Sequence, residues 1–282
     1  MLDVNRRPIR AMAPIQPFLE NKKKGKKMKS VLLLLATGSL VFASGCRNGE
    51  AQEAEVPAPV VPVELFACTY NEGRGPADLD AATAKWNAWA DDRGLSDYTA
   101  WTLTKFYSGP EQEFDFIWLG VAQNAKALGR GQDDWIANGG AIQAEFDKVA
   151  DCTHANYAAV NFKRPPERDD PPSNIVLSFS DCKIADGKNY GDDVVPAISA
   201  WSDFRTGHGS TAGHWVLFPV YGGGGEEFDF KWVVGHDNHE EQGADWDAYD
   251  PDKASDFNSV LDCDSSRVYN ATNRRRAESD DE

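Results

Sequence analysis

The sequence predicts an α+β fold built from two tandem β-α-β-β-α-β units, and three observations predict it. Residues 113–120 (EFDFIWLG) return as residues 227–235 (EFDFKWVVG), with Trp118 and Trp232 set 114 positions apart. Other scarce residues keep that step: Cys68 with Cys182 and Trp101 with Trp215 at 114, Trp135 with Trp246 and Cys152 with Cys263 at 111. A near-constant offset between rare residues in one order is the signature of internal duplication. Within each copy, strand-like runs and helix-like periodicity also follow in the same order.

The first 45 residues stand apart from these copies. A basic run at 22–29 precedes an apolar run at 31–43 and the small residues before Cys46, the order of an export signal. The apolar run is shorter than the roughly 20 residues a membrane-spanning helix needs. Ending in Gly45-Cys46, the segment resembles the lipobox of bacterial lipoproteins, which implies cleavage before Cys46 and its acylation. The alternative is an ordinary secretory signal in which Cys46 has no part. Met28 is an alternative start. Residues 46–62 (CRNGEAQEAEVPAPVVP) are too rich in Pro, Ala and Glu to bury a core and read as the lipidated cysteine with a flexible tether. The resemblance implies the bacterial cell envelope, with a lipid anchor as the only membrane contact. Arg47 after the cysteine resembles sorting to the periplasmic face of the outer membrane in a Gram-negative host.

Export changes the charge balance. The leader holds nine of the 29 Lys/Arg and two of the 45 Asp/Glu, so the remainder carries a net −23 against −16 for the whole chain. Such a surface repels nucleic acid and anionic lipid and is excluded as their partner. Four cysteines follow Cys46, and an exported chain with an even number points to disulfides. Four cysteines allow three pairings. The duplication selects Cys68–Cys152 and Cys182–Cys263, one pair per copy. No Cys-x-x-Cys spacing suggests zinc or redox chemistry.

In chain order, 63–70 reads as a strand and Pro76 opens a helix to about residue 93, with Leu79, Ala82, Trp86 and Trp89 at helical spacing. Residues 98–107 and 114–121 are strands about a Ser-Gly-Pro turn. A helical region follows, expected to break at Gly129/Gly131 and at Gly139-Gly140, and 157–162 closes the copy. Residues 164–174 form a Pro-rich linker. The second copy repeats the plan: strands at 175–181, 215–221, 228–234 and 268–272, a helix over about 192–205 and a polar helical region over 240–261. The units are thus 63–163 and 175–273, with 274–282 as a disordered tail.

This order is the split β-α-β, ferredoxin-like plan, in which the first and last strands lie side by side. The end of the first then faces the start of the last, where each cysteine pair sits. Two tandem units of this kind resemble the dimeric α/β-barrel superfamily, which includes antibiotic-biosynthesis monooxygenases, muconolactone isomerases and chlorite dismutases. The resemblance covers about residues 63–273. It implies two units packed sheet against sheet as an intramolecular barrel around a pocket, and a monomer, since the barrel partner is internal. No catalytic residue of the family matches a position here, the haem-degrading members' Asn, Trp and His included.

Two groups of residues are candidates for a site. Aromatic residues that recur between copies, Trp101, Phe116, Trp118, Trp215, Phe230 and Trp232, would line a pocket for an apolar or planar ligand. They would equally fill a core. Four of the five histidines lie in the second copy, where the first has Gly94, Ala100, Ala122 and Ala125. His214, His236 and His239 fall at one end of a predicted hairpin, with Asp237, Glu240 and Glu241 beside them, a donor set suited to zinc or copper. The alternative is a polar rim. Asp115 and Asp229 recur inside the central strand and read as structural, capping a turn. No organic cofactor is expected, and a divalent metal only at the histidines. The best-supported function is binding of a small apolar or aromatic ligand, against a cofactor-independent monooxygenase or isomerase and against a structural envelope protein.

Overall fold

The computed structural model describes residues 60–110 and 112–277. The leader, Cys46 and most of the tether lie outside the described residues. No helix among these is long and apolar enough to cross a membrane.

Eight antiparallel strands close into a barrel, with six α-helices among the described residues outside it. In the first half, β1 (Val61–Tyr70), β2 (Tyr98–Tyr107), β3 (Phe116–Ala122) and β4 (Ala150–Lys163) lie in the order β4-β1-β3-β2. In the second, β5 (Asn174–Ile184), β6 (Gly213–Tyr221), β7 (Phe230–His236) and β9 (Arg267–Arg275) lie in the order β9-β5-β7-β6. A short β8 (Leu261–Cys263) adds to β5. The halves do not merely stack sheet on sheet. β2 pairs with β9 (Leu103 opposite Ala271), and β4 pairs with β6 (Ala159 opposite Leu217). Each four-stranded sheet would otherwise leave two unpaired edges, and edge-to-edge closure removes all four.

Both halves use the same fastenings. Cys68 is bonded to Cys152 and Cys182 to Cys263, each pair directly opposite across two strands with Cα atoms 4.1 and 4.0 Å apart. Asp115 accepts from the backbone N–H of Tyr70 at 2.8 Å, and Asp229 from that of Ile184 at 2.7 Å. These carboxylates satisfy the last donors of β1 and β5, a capping role.

The core divides into an inner and an outer layer. Inside the barrel, every strand contributes: Val63, Leu103, Leu119, Tyr157, Leu177, Leu217, Val233 and Tyr269 form one cluster. Outside it, Cys68 and Phe116 pack with Leu79 and Ala82 of α1 (Pro76–Asp92). Val216, Phe230 and Trp232 likewise pack with Ile198 of α4 (Val195–Gly207) and Val260 of α6 (Pro251–Val260). Residues alternate between the two layers because successive strand side chains face opposite ways.

Several boundaries differ from the sequence expectation. Val61 and Pro62, assigned to the tether, belong to β1, since Val61 packs against the inner cluster. Arg274 and Arg275, assigned to the tail, extend β9. Arg274 reaches Asp80 at 2.8 Å, and Arg275 reaches Asp91 at 2.7 Å and the Leu95 carbonyl, tying the strand end to α1 and the turn after it. Gly129 and Gly131 do not interrupt α2 (Ala125–Asn138), whose Asn124 cap and buried Ala127 and Leu128 outweigh two glycines. The break comes at Gly139, where an added Cβ would sit 2.6 Å from the Trp135 carbonyl oxygen, and α3 (Gly140–Asp147) follows. The polar region of the second half splits into α5 (His239–Asp247) and α6, with Asp250 capping the latter. A π-helical turn, Tyr190–Val194, precedes α4.

Candidate functional site

One end of the barrel opens into a cavity of about 860 Å³. It lies where β1 and β5 end and β3 and β7 begin. The inner side chains there differ between the halves. The first half supplies Leu65, Ala67, Ile117 and Ala155, and the second supplies Phe179, Asp181, Lys231 and Arg267 at the same register positions. Tyr157 and Tyr269 occupy equivalent places and both reach the cavity.

Asp181 and Lys231 are a cross-strand pair, with Nζ 2.5 Å from Oδ1. The Lys231 side chain is only 17 % exposed, and its Nζ lies 4.1 Å from the Phe228 ring centre. Burial pulls the Lys231 pKa down, and the Asp181 carboxylate works against that pull. Arg267 contacts Asp181 at 3.1 Å and also pairs with Asp264. Two cations therefore meet two carboxylates, so the site is polar without carrying a net charge. The Tyr157 hydroxyl is pushed up to about 12, by burial first and by Glu226 and Asp181 second. Tyr269 is raised by burial, and its hydroxyl donates to Gln112 at 2.9 Å.

The residues expected to line the pocket divide between the two layers. Trp101 and Trp215 pack against the inner cluster, though neither borders the cavity itself. Phe116, Trp118, Phe230 and Trp232 face outward. Trp118 meets Trp86 of α1 edge-on at 5.2 Å, and Trp232 meets Phe257 of α6 at 5.6 Å. The residues between them, Ile117 and Lys231, are the ones that turn inward. An apolar run reads as buried on both faces and does not say which face meets the barrel. The available signal was Lys231 itself, a charge inside the strand where the first copy has isoleucine.

The three histidines expected to share a metal do not converge. His214, 1 % exposed, has Nδ1 2.7 Å from the Ser202 hydroxyl. His236, 7 % exposed, has Nε2 2.9 Å from Asp245, which also binds Arg205 Nε at 2.7 Å. His239 turns to Asn270 and Gln242 and lies 4.2 Å from the Phe106 ring. Among the described residues no three His, Cys, Asp or Glu side chains are placed to hold a metal ion. Burial lowers the His214 pKa to about 3. Burial opposes ionisation of Asp245, yet hydrogen bonds from His236 and Arg205 hold its carboxyl below the usual range. These groups are a buried polar network between sheet and helices. The first half has a different one in the same layer. Glu64 accepts from Gln132 at 2.9 Å and Tyr98 at 3.1 Å, and lies 3.0 Å from His154 Nε2. Burial raises its pKa, and these partners more than reverse the shift.

No family model matches the chain, and no curated protein matches it. Solved structures do. A chlorite dismutase-like protein aligns over 77 % of this chain and 96 % of its own, at 9 % identity and a TM-score of 0.50. A monooxygenase-like protein from Fusobacterium nucleatum aligns over 77 % and 93 %, at 7 % identity and a TM-score of 0.50. These neighbours support the dimeric α/β-barrel resemblance at the level of fold. Haem, a cofactor that this resemblance raises, needs an axial ligand. Of the cavity-lining residues His154 is the sole histidine, and its ring stacks on Phe66 while its Nε2 faces Glu64. Tyr157 and Tyr269 are held protonated by burial, and Tyr107, the third tyrosine of the lining, lies 62 % exposed at the end of β2. His236 Nδ1 is buried without a partner, but beneath the helices and away from the cavity. The cavity residues do not fit haem, and no chemistry is routed through it.

Proposed function

We propose that the protein binds a small, uncharged, largely apolar or aromatic molecule in the barrel-mouth cavity. The observation that carries this reading is the cavity itself: about 860 Å³, lined by apolar Leu65, Phe114, Ile117 and Phe179 together with polar Gln112, Asp181, Lys231 and Arg267. Ligand sites of this size typically combine an apolar lining with a few convergent polar groups. Leu65, Ile117, Phe114 and Phe179 would hold the body of the ligand, and Lys231, Asp181 and Tyr157 would meet one polar group on it. The charges are already mutually neutralised, which favours a neutral ligand over an anion.

In this reading the two halves are copies of one ferredoxin-like unit, units 63–163 and 175–273 joined by the 164–174 linker. The barrel is complete within one chain and the protein is a monomer. Cys46 is lipidated, and the tether holds the barrel at the envelope surface. A second reading, cofactor-independent oxygenase or isomerase chemistry, is favoured by Lys231, since an amine of lowered basicity can move a proton.

The test is fluorescence titration with N-phenyl-1-naphthylamine, a neutral aromatic probe. Binding should be saturable and should disappear in Ala155→Phe, which fills the cavity from β4. Equal binding by both proteins would overturn the cavity as the site.

A further inference from the structure

The charged corner of the cavity is built unlike an anion receptor. Arg267 is engaged by Asp181 and Asp264, and Lys231 by Asp181. What remains unspent is the chemistry of the lysine. Lys231 lines the cavity, its side chain is 17 % exposed, and its Nζ lies 4.1 and 6.0 Å from the centres of the Phe228 and Tyr157 rings. The Asp181 carboxylate sits 2.5 Å away. We infer that Lys231 is a carbonyl-capturing amine, whose Nζ forms an imine with an aldehyde or ketone group on the apolar ligand held in the barrel mouth. This rests on the ligand-binding reading above and names the chemical class of the ligand.

The step balances without an added oxidant or reductant. Asp181 takes a proton from the ammonium, and the freed lone pair attacks the carbonyl carbon, giving a carbinolamine. The C–O bond then breaks, and its oxygen leaves as water after collecting two protons, one from the attacking nitrogen and one returned by Asp181. An ammonium and a carbonyl have become a protonated imine and water, with charge unchanged. The iminium nitrogen still carries the positive charge that Asp181 and the Phe228 ring face, so capture does not strand a buried carboxylate. The lowered basicity of Lys231 makes the neutral, nucleophilic amine more accessible than on a surface lysine. The register-equivalent pair in the first half, Ala67 and Ile117, offers no such group.

The experiment treats the full-length protein with 1-naphthaldehyde and sodium cyanoborohydride at neutral pH, then maps modified lysines by peptide mass spectrometry. Lys231 should be labelled in preference to the exposed Lys183 by about ten-fold or more. Lys231→Arg keeps the ion pair but cannot form an imine. It should lose the preferential adduct while keeping the wild-type circular dichroism spectrum and thermal midpoint. Probe binding with labelling spread evenly over surface lysines would overturn the imine and leave the ligand reading intact. A protein that neither binds the probe nor labels Lys231 would overturn both. Preferential labelling that persists at another residue in Lys231→Arg would also overturn the assignment.

Discussion

The two halves of the barrel share their fastenings and differ in what they bury. Each has a disulfide fastening its first strand, to β4 in one half and to the short β8 in the other, and an aspartate capping that first strand. At the cavity, however, Ala67 and Ile117 of one half face Asp181 and Lys231 of the other. Beneath the helices, Glu64 with Tyr98, Gln132 and His154 stands in one half, and Asp245 with Arg205 and His236 in the other. The lesson is that strand order and end-capping are the costly features to change, because every backbone group depends on them. Side chains inside a closed barrel can differ between the halves as long as each buried polar group has its partner. Lys231 with Asp181, and Asp245 with Arg205, both obey that condition.

The largest contrast should come from the helix-side networks. Asp245→Ala strands the buried Arg205 and should cost about 3–5 kcal/mol. Asp134→Ala, at the equivalent position of the first half, breaks a solvent-facing pair with Arg93 and a hydrogen bond from Asn138, and should cost about 1 kcal/mol. Denaturant melts of both variants would decide, and equal losses would break the comparison.

Acid should expose the second half next. His214 is faced by Lys163, Asp245, Arg205 and His236, and its folded pKa is about 3 against an ordinary 6.5. As pH falls below 6.5 the unfolded chain takes up this proton first, so the stability is complete above about 6.5 and drains away towards 3. The slope should approach 1.4 kcal/mol per pH unit within that window. His214→Gln should flatten the curve between pH 6 and 4, while depressed Asp245 still steepens it below about 4. An unchanged slope in His214→Gln would assign acid sensitivity elsewhere.

A smaller effect follows from making the two cavity walls alike. Lys231→Ile alone leaves Asp181 with Arg267 as its remaining partner and should cost about 2 kcal/mol. Asp181→Ala with Lys231→Ile recreates the first-half pair and should recover most of that loss, since apolar replacement of a buried ion pair is often neutral. A double variant less stable than the single one would show that the pair holds the barrel together. The smallest contrast is between equivalent tryptophans. Trp135 packs edge-on against Trp89 and donates to Gln143, so Trp135→Ala should cost about 1–2 kcal/mol. Trp246 is 80 % exposed, and Trp246→Ala should change thermal stability by less than about 0.5 kcal/mol.

Much of this architecture was legible in the sequence because it is repeated there. The offset between Trp118 and Trp232 gave the element order twice over, and one cysteine pair per copy then followed. What the sequence concealed was direction. Phe116, Trp118, Phe230 and Trp232 recur as an aromatic layer under the helices of both halves, the core-filling one of the two roles that recurrence allows. The cavity residues Asp181, Lys231 and Arg267 have no polar counterparts in the first copy, so a search for repeated features passes over them. The histidines failed for a related reason. His214 and His236 face the helix layer, whereas His239 starts α5 beside Asn270 and Phe106, so proximity along a hairpin did not become convergence of side chains.

The most direct test of the central claim is non-denaturing mass spectrometry of the protein purified from its own host. The account predicts a retained small molecule of apolar character in the wild-type protein and none in Ala155→Phe, whose cavity is filled. A wild-type protein with no bound molecule, or a molecule retained equally by Ala155→Phe, would contradict it.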